Sequence, residues 1–231
     1  MIHRLLMAIF VAGIGILAVQ EPACCFGEEG RLEKIKEPEL AAELGRRFES
    51  DQAARETFVD FYKEHKILDE DRDLARLDPP IAEKYKALGK AMADEDTKNR
   101  LWMKEVVLKH GWPGKSVVGS QAAVYAWLLV QHADTDREFQ KECLKKMEAL
   151  PKGEVRPTDI AYLTDRILSG TGKKQKYGTQ VMLKDGRYIP NPIEDEEHLD
   201  DRRKALGLEP IKDYLKMIEK LYGVSNDPDA K

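Results

Sequence analysis

Nine consecutive residues, Ala122-Ala123-Val124-Tyr125-Ala126-Trp127-Leu128-Leu129-Val130, are apolar on every side of any helix they form. Such a helix has to be enclosed by protein, and at this length it is a central core helix rather than a membrane span. The rest of the chain must supply amphipathic elements to surround it.

Two long helical patterns precede it. Pro38 suits the first turn of a helix running to about Lys66, with apolar positions at Leu40, Leu44, Phe48, Phe58, Val59 and Tyr62. A charged linker, Asp69 to Asp78, leads to Pro79-Pro80 and a second helix, with Asp78 as its expected cap. Its stripe is Ile81, Tyr85, Leu88, Met92, Met103, Val106 and His110; Gly111 ends it and Trp112-Pro113-Gly114 turns the chain. After the core helix, a short helix is expected to about Leu150, another capped by Thr158 and stopped near Gly170, and two more over about Glu196–Leu206 and Pro210–Tyr222. Tyr177–Leu183 and Arg187–Ile189 flank Lys184-Asp185-Gly186, which predicts a β-hairpin. The fold class is thus mainly α (α+β): an irregular helical domain of about six to seven helices with one β-hairpin near the C-terminal third.

At the N-terminus, Arg4 precedes the 15-residue uncharged run Leu5–Val19 and the small residues of Ala23-Cys24-Cys25. The run is short for an anchor and suits the apolar region of an export signal. The expected layout is a signal peptide or short anchor over 1–26, a charged lead-in over 27–37, a single helical domain over 38–223 and a disordered tail over 224–231. The implied location is the periplasm, cell envelope or exterior, with membrane contact only through an uncleaved N-terminal segment. Lipidation of Cys24 or Cys25 would need an apolar and a small residue where Glu21 and Pro22 stand. Cys143 then remains alone, so no disulfide framework is expected, and its apolar stripe marks it as a buried small hydrophobe.

With 38 Lys and Arg against 42 Asp and Glu, the net charge of −4 supplies no positive field, so nucleic acid is excluded as a partner. The chain also lacks a Gly-rich phosphate loop, a Gly-x-Ser-x-Gly elbow, His-Glu-x-x-His and Cys-x-x-Cys. No cofactor and no metal are expected.

Hydrophilic residues interrupt the apolar stripes. Asp51 and Arg55 fall on the stripe of Leu44, Phe48, Phe58 and Tyr62, with Gln52 at its margin. Their i,i+4 spacing allows a pair; either the helix protrudes there, or the pair lines a partly wet pocket. On the second helix Asn99 sits in mid-stripe with Asp96 near its edge, and antiparallel packing would bring the two interruptions together. Gln131-His132-Ala133-Asp134-Thr135-Asp136 ends the core helix. His132 at a helix C-terminus and an aspartate cap on the next helix account for this run; acid–base work or metal binding is the sharper alternative. His-x-Asp-x-Asp is a weak metal pattern that would need ligands from elsewhere. Asp165-Arg166 ends another helix. Tyr177-Gly178-Thr179-Gln180 is either hairpin chemistry or a ligand-facing strand in which glycine permits close backbone approach.

Gly111-Trp112-Pro113, Val118-Gly119, Trp127 to Asp134, Phe139-Gln140, Leu163-Thr164-Asp165-Arg166, Gln175-x-Tyr177-Gly178-Thr179-Gln180, Pro192-Ile193-Glu194-Asp195, Asp200-x-Arg202-Arg203 and Gly207-Leu208 occur in order, with Asp51-Gln52-x-x-Arg55 ahead of them. This pattern resembles an uncharacterised, largely bacterial domain-of-unknown-function family, the one numbered 6624. The resemblance covers roughly residues 40–216. It implies a shared fold and no particular activity.

Three functional readings follow. In the first, a hydrolase acts on a small polar or anionic substrate in a polar cleft around Arg55, His132, Asp165 and Tyr177. His132 is general acid or base, oriented by Asp134 or Asp165; Arg55 or Arg166 holds an anionic group and Gln180 orients substrate. Asp51, Gln52, Gln131 and Tyr177 complete the ligand-binding set. In the second, the same groups bind a small polar ligand or a peptide without chemistry. In the third, they form a satisfied buried network in a structural cell-envelope protein.

Overall fold

In a computed structural model of the chain, residues 35–65, 67, 77–184 and 187–222 are described. The signal or anchor with Cys24 and Cys25, most of the lead-in, the bulk of the charged linker, the Asp185-Gly186 turn and the terminal tail lie outside them. Among the described residues the architecture is mainly helical with a single β-hairpin, as the sequence pattern predicts. The chain divides into two compact units, residues 1–155 and 156–231.

In the first unit, α1 (Pro38–Glu64) and α2 (Pro79–His110) both start with proline in the first turn, where the missing N–H costs nothing. Asp78 stands at the cap of α2, but its side chain makes no capping hydrogen bond. Gly111, at φ +73°, ends α2 in a conformation that suits a residue without Cβ. A short α3 (Lys115–Val118) that hydrophobic period does not reveal precedes α4 (Ser120–Gln131), the expected core helix. Its Val124, Ala126, Trp127, Leu128, Leu129 and Val130 are all buried. α1 packs against both α2 and α4. Pairings between low-numbered α1 residues and high-numbered α2 residues fix α1 and α2 as antiparallel: Arg47 with Asn99, Ser50 with Glu95, Arg55 with Asp96. Arg47 also stacks over Trp102, and Phe48 stacks on Tyr125 of α4. α5 (Arg137–Glu148) opens on Asp136, whose side chain accepts from Phe139 N at 3.1 Å. Cys143 is buried and free, and burial pushes its thiol far up.

In the second unit, α6 (Pro157–Gly170) begins two residues earlier than expected: Pro157 is in its first turn and Arg156, not Thr158, is the cap residue. β1 (Val181–Lys184) pairs antiparallel with β2 (Arg187–Pro190), Val181 opposite Pro190. The strand starts four residues later than the alternation suggests, because 176–179 wrap a side chain from α6. The helix expected over Glu196–Leu206 is split into a 3-10 turn (Glu196–His198) and α7 (Leu199–Ala205), and α8 (Ile211–Tyr222) follows. Leu163, Ile167, Tyr188, Leu199, Tyr214 and Ile218 form the buried interior of this unit.

Candidate functional site

The interrupted stripes of α1 and α2 meet. Asp51 and Arg55, one turn apart on α1, form a buried pair in which Arg55 Nη2 and Nε donate to the two oxygens of Asp51, each at 3.2 Å. Gln52 Nε2 donates to Asp51 Oδ2 at 2.7 Å. From α2, Asp96 accepts from Arg55 Nη2. His132, the residue that ends α4, places Nδ1 2.9 Å from Asp51 Oδ1 and 3.0 Å from Arg55 Nε. A ring nitrogen cannot donate to Asp51 and accept from Arg55 at once. Asp51 settles the choice. Burial opposes its charge, but His132 and Arg55 outweigh burial and hold the carboxyl well below the usual range. Asp51 is therefore a carboxylate, Nδ1–H of His132 donates to it, and Nε2 carries the lone pair or a second proton.

Asp96 lies at the other end of the scale. Burial pushes it up to about 6, against the pull of Arg55 and His132. Burial also works against the charge of Arg55, yet Asp51 and Asp96 raise its pKa, so it remains a cation. One guanidinium faces two carboxylates, and the cluster is one positive charge short until Asp96 or His132 takes a proton. Among the described residues, four buried polar atoms have no partner here: His132 Nε2, Arg55 Nη1, Gln52 Oε1 and Asn99 Nδ2. Each costs about 1–3 kcal/mol when left so, a heavy load against a typical stability of about 5–15 kcal/mol.

Ligand atoms of Asp51, Asp96 and His132 lie within 4.8 Å of one another and could hold a metal ion. Arg55 already donates to both carboxylates and supplies the positive charge that a cation would bring. Asp134 is engaged beside this cluster, with Arg137 Nη1 at 2.6 Å. Gln140 closes the C-terminal end of α4, donating to the carbonyls of Val130 and Gln131. Gln131 is buried at the same helix end.

The remaining sequence candidates meet in the second unit. Asp165 accepts from the backbone N–H groups of Lys176 (2.7 Å), Tyr177 (3.1 Å) and Thr179 (3.0 Å), and from Thr179 Oγ1 at 3.0 Å. Burial pushes its carboxyl up against these four donors. Gln180 Nε2 donates to Thr179 Oγ1, and Arg166 reaches Gln180 Oε1. Tyr177 is half-buried, and its carbonyl accepts from Arg203.

The ten sequence candidates thus form two networks: Asp51, Gln52, Arg55, Gln131, His132 and Asp134 in the first unit, Asp165, Arg166, Tyr177 and Gln180 in the second. In the first, Asp51 is the group that orients His132. Sequence reasoning left Asp96, Asn99, Gln175 and Arg203 out of the candidate set. Asp96 and Asn99 carried a signal, polarity on an apolar stripe. Gln175 and Arg203 carried none beyond the motif blocks that hold them.

No curated protein and no solved structure matches the chain. A family model described as "Family of unknown function (DUF6624)" matches residues 38–227, most of the chain. The chain belongs to that family, DUF6624.

Proposed function

We propose that the cluster of the first unit is the acid–base centre of an exported hydrolase acting on a small polar or anionic substrate. One observation carries the reading: His132 is pinned through Nδ1 by a carboxylate, while its buried Nε2 has no partner. That is how an imidazole is prepared to take a proton from water or return one to a leaving group. Arg55 Nη1 is a donor that a developing oxyanion would satisfy. The expected ligand is small and polar; nucleic acid is not an expected partner, given the chain's charge. Arg4 and the apolar run Leu5–Val19 support export.

The test is hydrolysis of a panel of small polar and anionic esters and amides by wild type, His132→Gln and Asp51→Asn. The reading expects both variants to lose at least about 100-fold in kcat/KM. Unchanged turnover in His132→Gln would sink it. N-terminal sequencing of protein from fractionated cells tests export: a start between Ala18 and Gly27 is expected, and an intact Met1 in the cytoplasm excludes it.

A second reading draws on the 1% exposure of the His132 side chain: a non-catalytic small-ligand or peptide-binding domain, or a structural envelope protein, in which the network only joins α1, α2 and α4. It expects His132→Ala to lower the melting temperature sharply while no panel member is turned over.

A further inference from the structure

We propose that Asp96 is the general acid of this centre, standing at the edge by which substrate enters and protonating the leaving group. The proposal rests on the hydrolytic reading above. Its basis is position. The side chains of Asp51, Arg55 and His132 are 1–4% exposed, whereas Asp96 is 12% exposed and so is the member that meets solvent. It reaches the cluster from a different helix, so Arg55 lies between the two carboxylates and donates to each. The groups around Asp96 are Arg55 and Asp51 on α1, and His132 and Asp134 at the end of α4.

The two carboxylates differ as an acid and its counter-charge must. Asp51 is held ionised beside His132, while burial lifts Asp96 to about 6, where it still carries a proton in mildly acidic solution. His132 Nε2 takes a proton from water, and the water oxygen bonds to the acyl carbon. The bond from that carbon to the leaving group breaks, with its electron pair going to the leaving atom. Asp96 gives that atom its proton. The proton on His132 then returns to Asp96 through solvent.

The experiment uses two esters of whichever small acid the panel shows to be accepted: a 4-nitrophenyl ester, whose leaving group needs no proton, and an alkyl ester, whose leaving group does. Asp96→Asn is expected to lose at least about 100-fold in kcat on the alkyl ester and less than about tenfold on the nitrophenyl ester. The alkaline limb of the alkyl-ester pH profile should disappear with it. Asp96→Glu, which keeps the carboxyl, should restore the alkyl-ester rate to within about tenfold of wild type. Equal losses of Asp96→Asn on both esters, or none on either, overturn the proposal and leave the hydrolytic reading standing. Full activity of His132→Gln on both esters overturns both.

Discussion

The polar clusters of the two units are built from similar residues and end in opposite states. Among the described residues, Asp165, Gln175, Thr179 and Gln180 leave no buried side-chain atom without a partner, although Ser169 Oγ, one turn along α6, has none. Four hydrogen-bond donors converge on one carboxylate, and Gln175 spans the loop, donating to the carbonyls of Gln180 and Asn191 and accepting from Gln180 N. Arg203 clamps the carbonyls of Tyr177 and Glu209, and Tyr214 Oη donates to Thr179 O. Around Arg55 the donors and acceptors do not come out even, and four buried atoms are left over. A saturated network fixes a backbone path and has no capacity left for a ligand. An unsaturated one costs stability, and such a cost is characteristic of functional sites.

If that contrast is right, the saturated side should be the more sensitive to loss of its acid. Asp165→Ala strands three backbone N–H groups and a hydroxyl, and we expect it to cost about 4 kcal/mol in urea unfolding. Trypsin should then cut at Lys173, Lys174 or Lys176 faster than in wild type. A cost below about 1 kcal/mol would mean that the loop holds itself without Asp165.

On the unsaturated side, Arg55→Met leaves two buried carboxylates without their cation and should cost about 3 kcal/mol. Adding Asp51→Asn and Asp96→Asn removes the stranded charges and should recover more than half of that in chemical denaturation. A triple variant as unstable as the single one would show that the ion cluster holds the unit together, which erases the difference between the two sides.

Gly178 probes the saturated loop from its backbone. At φ +66°, an added Cβ would lie 3.0 Å from Ile211 Cδ1 and 3.2 Å from Ile193 Cδ1. Left-handed strain and crowding together predict about 2 kcal/mol for Gly178→Ala, read as a lowered melting temperature. A neutral result would show that the loop relaxes more freely than its hydrogen bonds imply.

These residues also show where sequence was legible. Asp51, Arg55 and Asn99 were visible because they break a 3.6-residue period, a purely local signal. That they would face one another was legible only as a conditional, since the register of two helices depends on packing across a linker. Tyr177-Gly178-Thr179-Gln180 looked like the start of a strand because Tyr and Thr suit pleated backbone. The acceptor that bends it away is Asp165, 11–14 residues earlier on a helix, and no local window contains both. The four-residue α3 is too short to show any period. The charge state of the aspartates was out of reach for the same reason: Asp51 and Asp96 differ in burial and neighbours, not in type.

The two carboxylates of the first unit should oppose each other in the pH dependence of stability. Asp96 has a raised folded-state pKa, so the folded chain holds more protons than the unfolded one between the ordinary value, 3.8, and about 6. Its contribution therefore falls as pH rises through that window. Asp51 is depressed, so its contribution is full above 3.8 and lost as pH falls below it. Thermal melts of wild type and Asp96→Asn should diverge from pH 4 to 6, the variant gaining relative stability as pH rises. Parallel curves would place Asp96 in ordinary solvent and remove its distinction from a surface acid.

The smallest expected effect on stability separates the two units most cleanly. His132→Gln removes a ring whose one side-chain hydrogen bond, among the described residues, is Nδ1–H to Asp51. Asp51 keeps Gln52 and Arg55 as donors, so it is not stranded, and Nε2 had no bond to lose. The cost should stay below about 1 kcal/mol, less than for a typical buried polar residue with its partners satisfied. Thr179→Val is the matching change in the second unit. It deletes a hydroxyl that donates to Asp165 and accepts from Gln180, so it should cost about 1–2 kcal/mol although the side chain is smaller. Should His132→Gln prove the more damaging of the pair, the imidazole would be acting as a structural tie, and the unpaired Nε2 would no longer mark a place where chemistry is done.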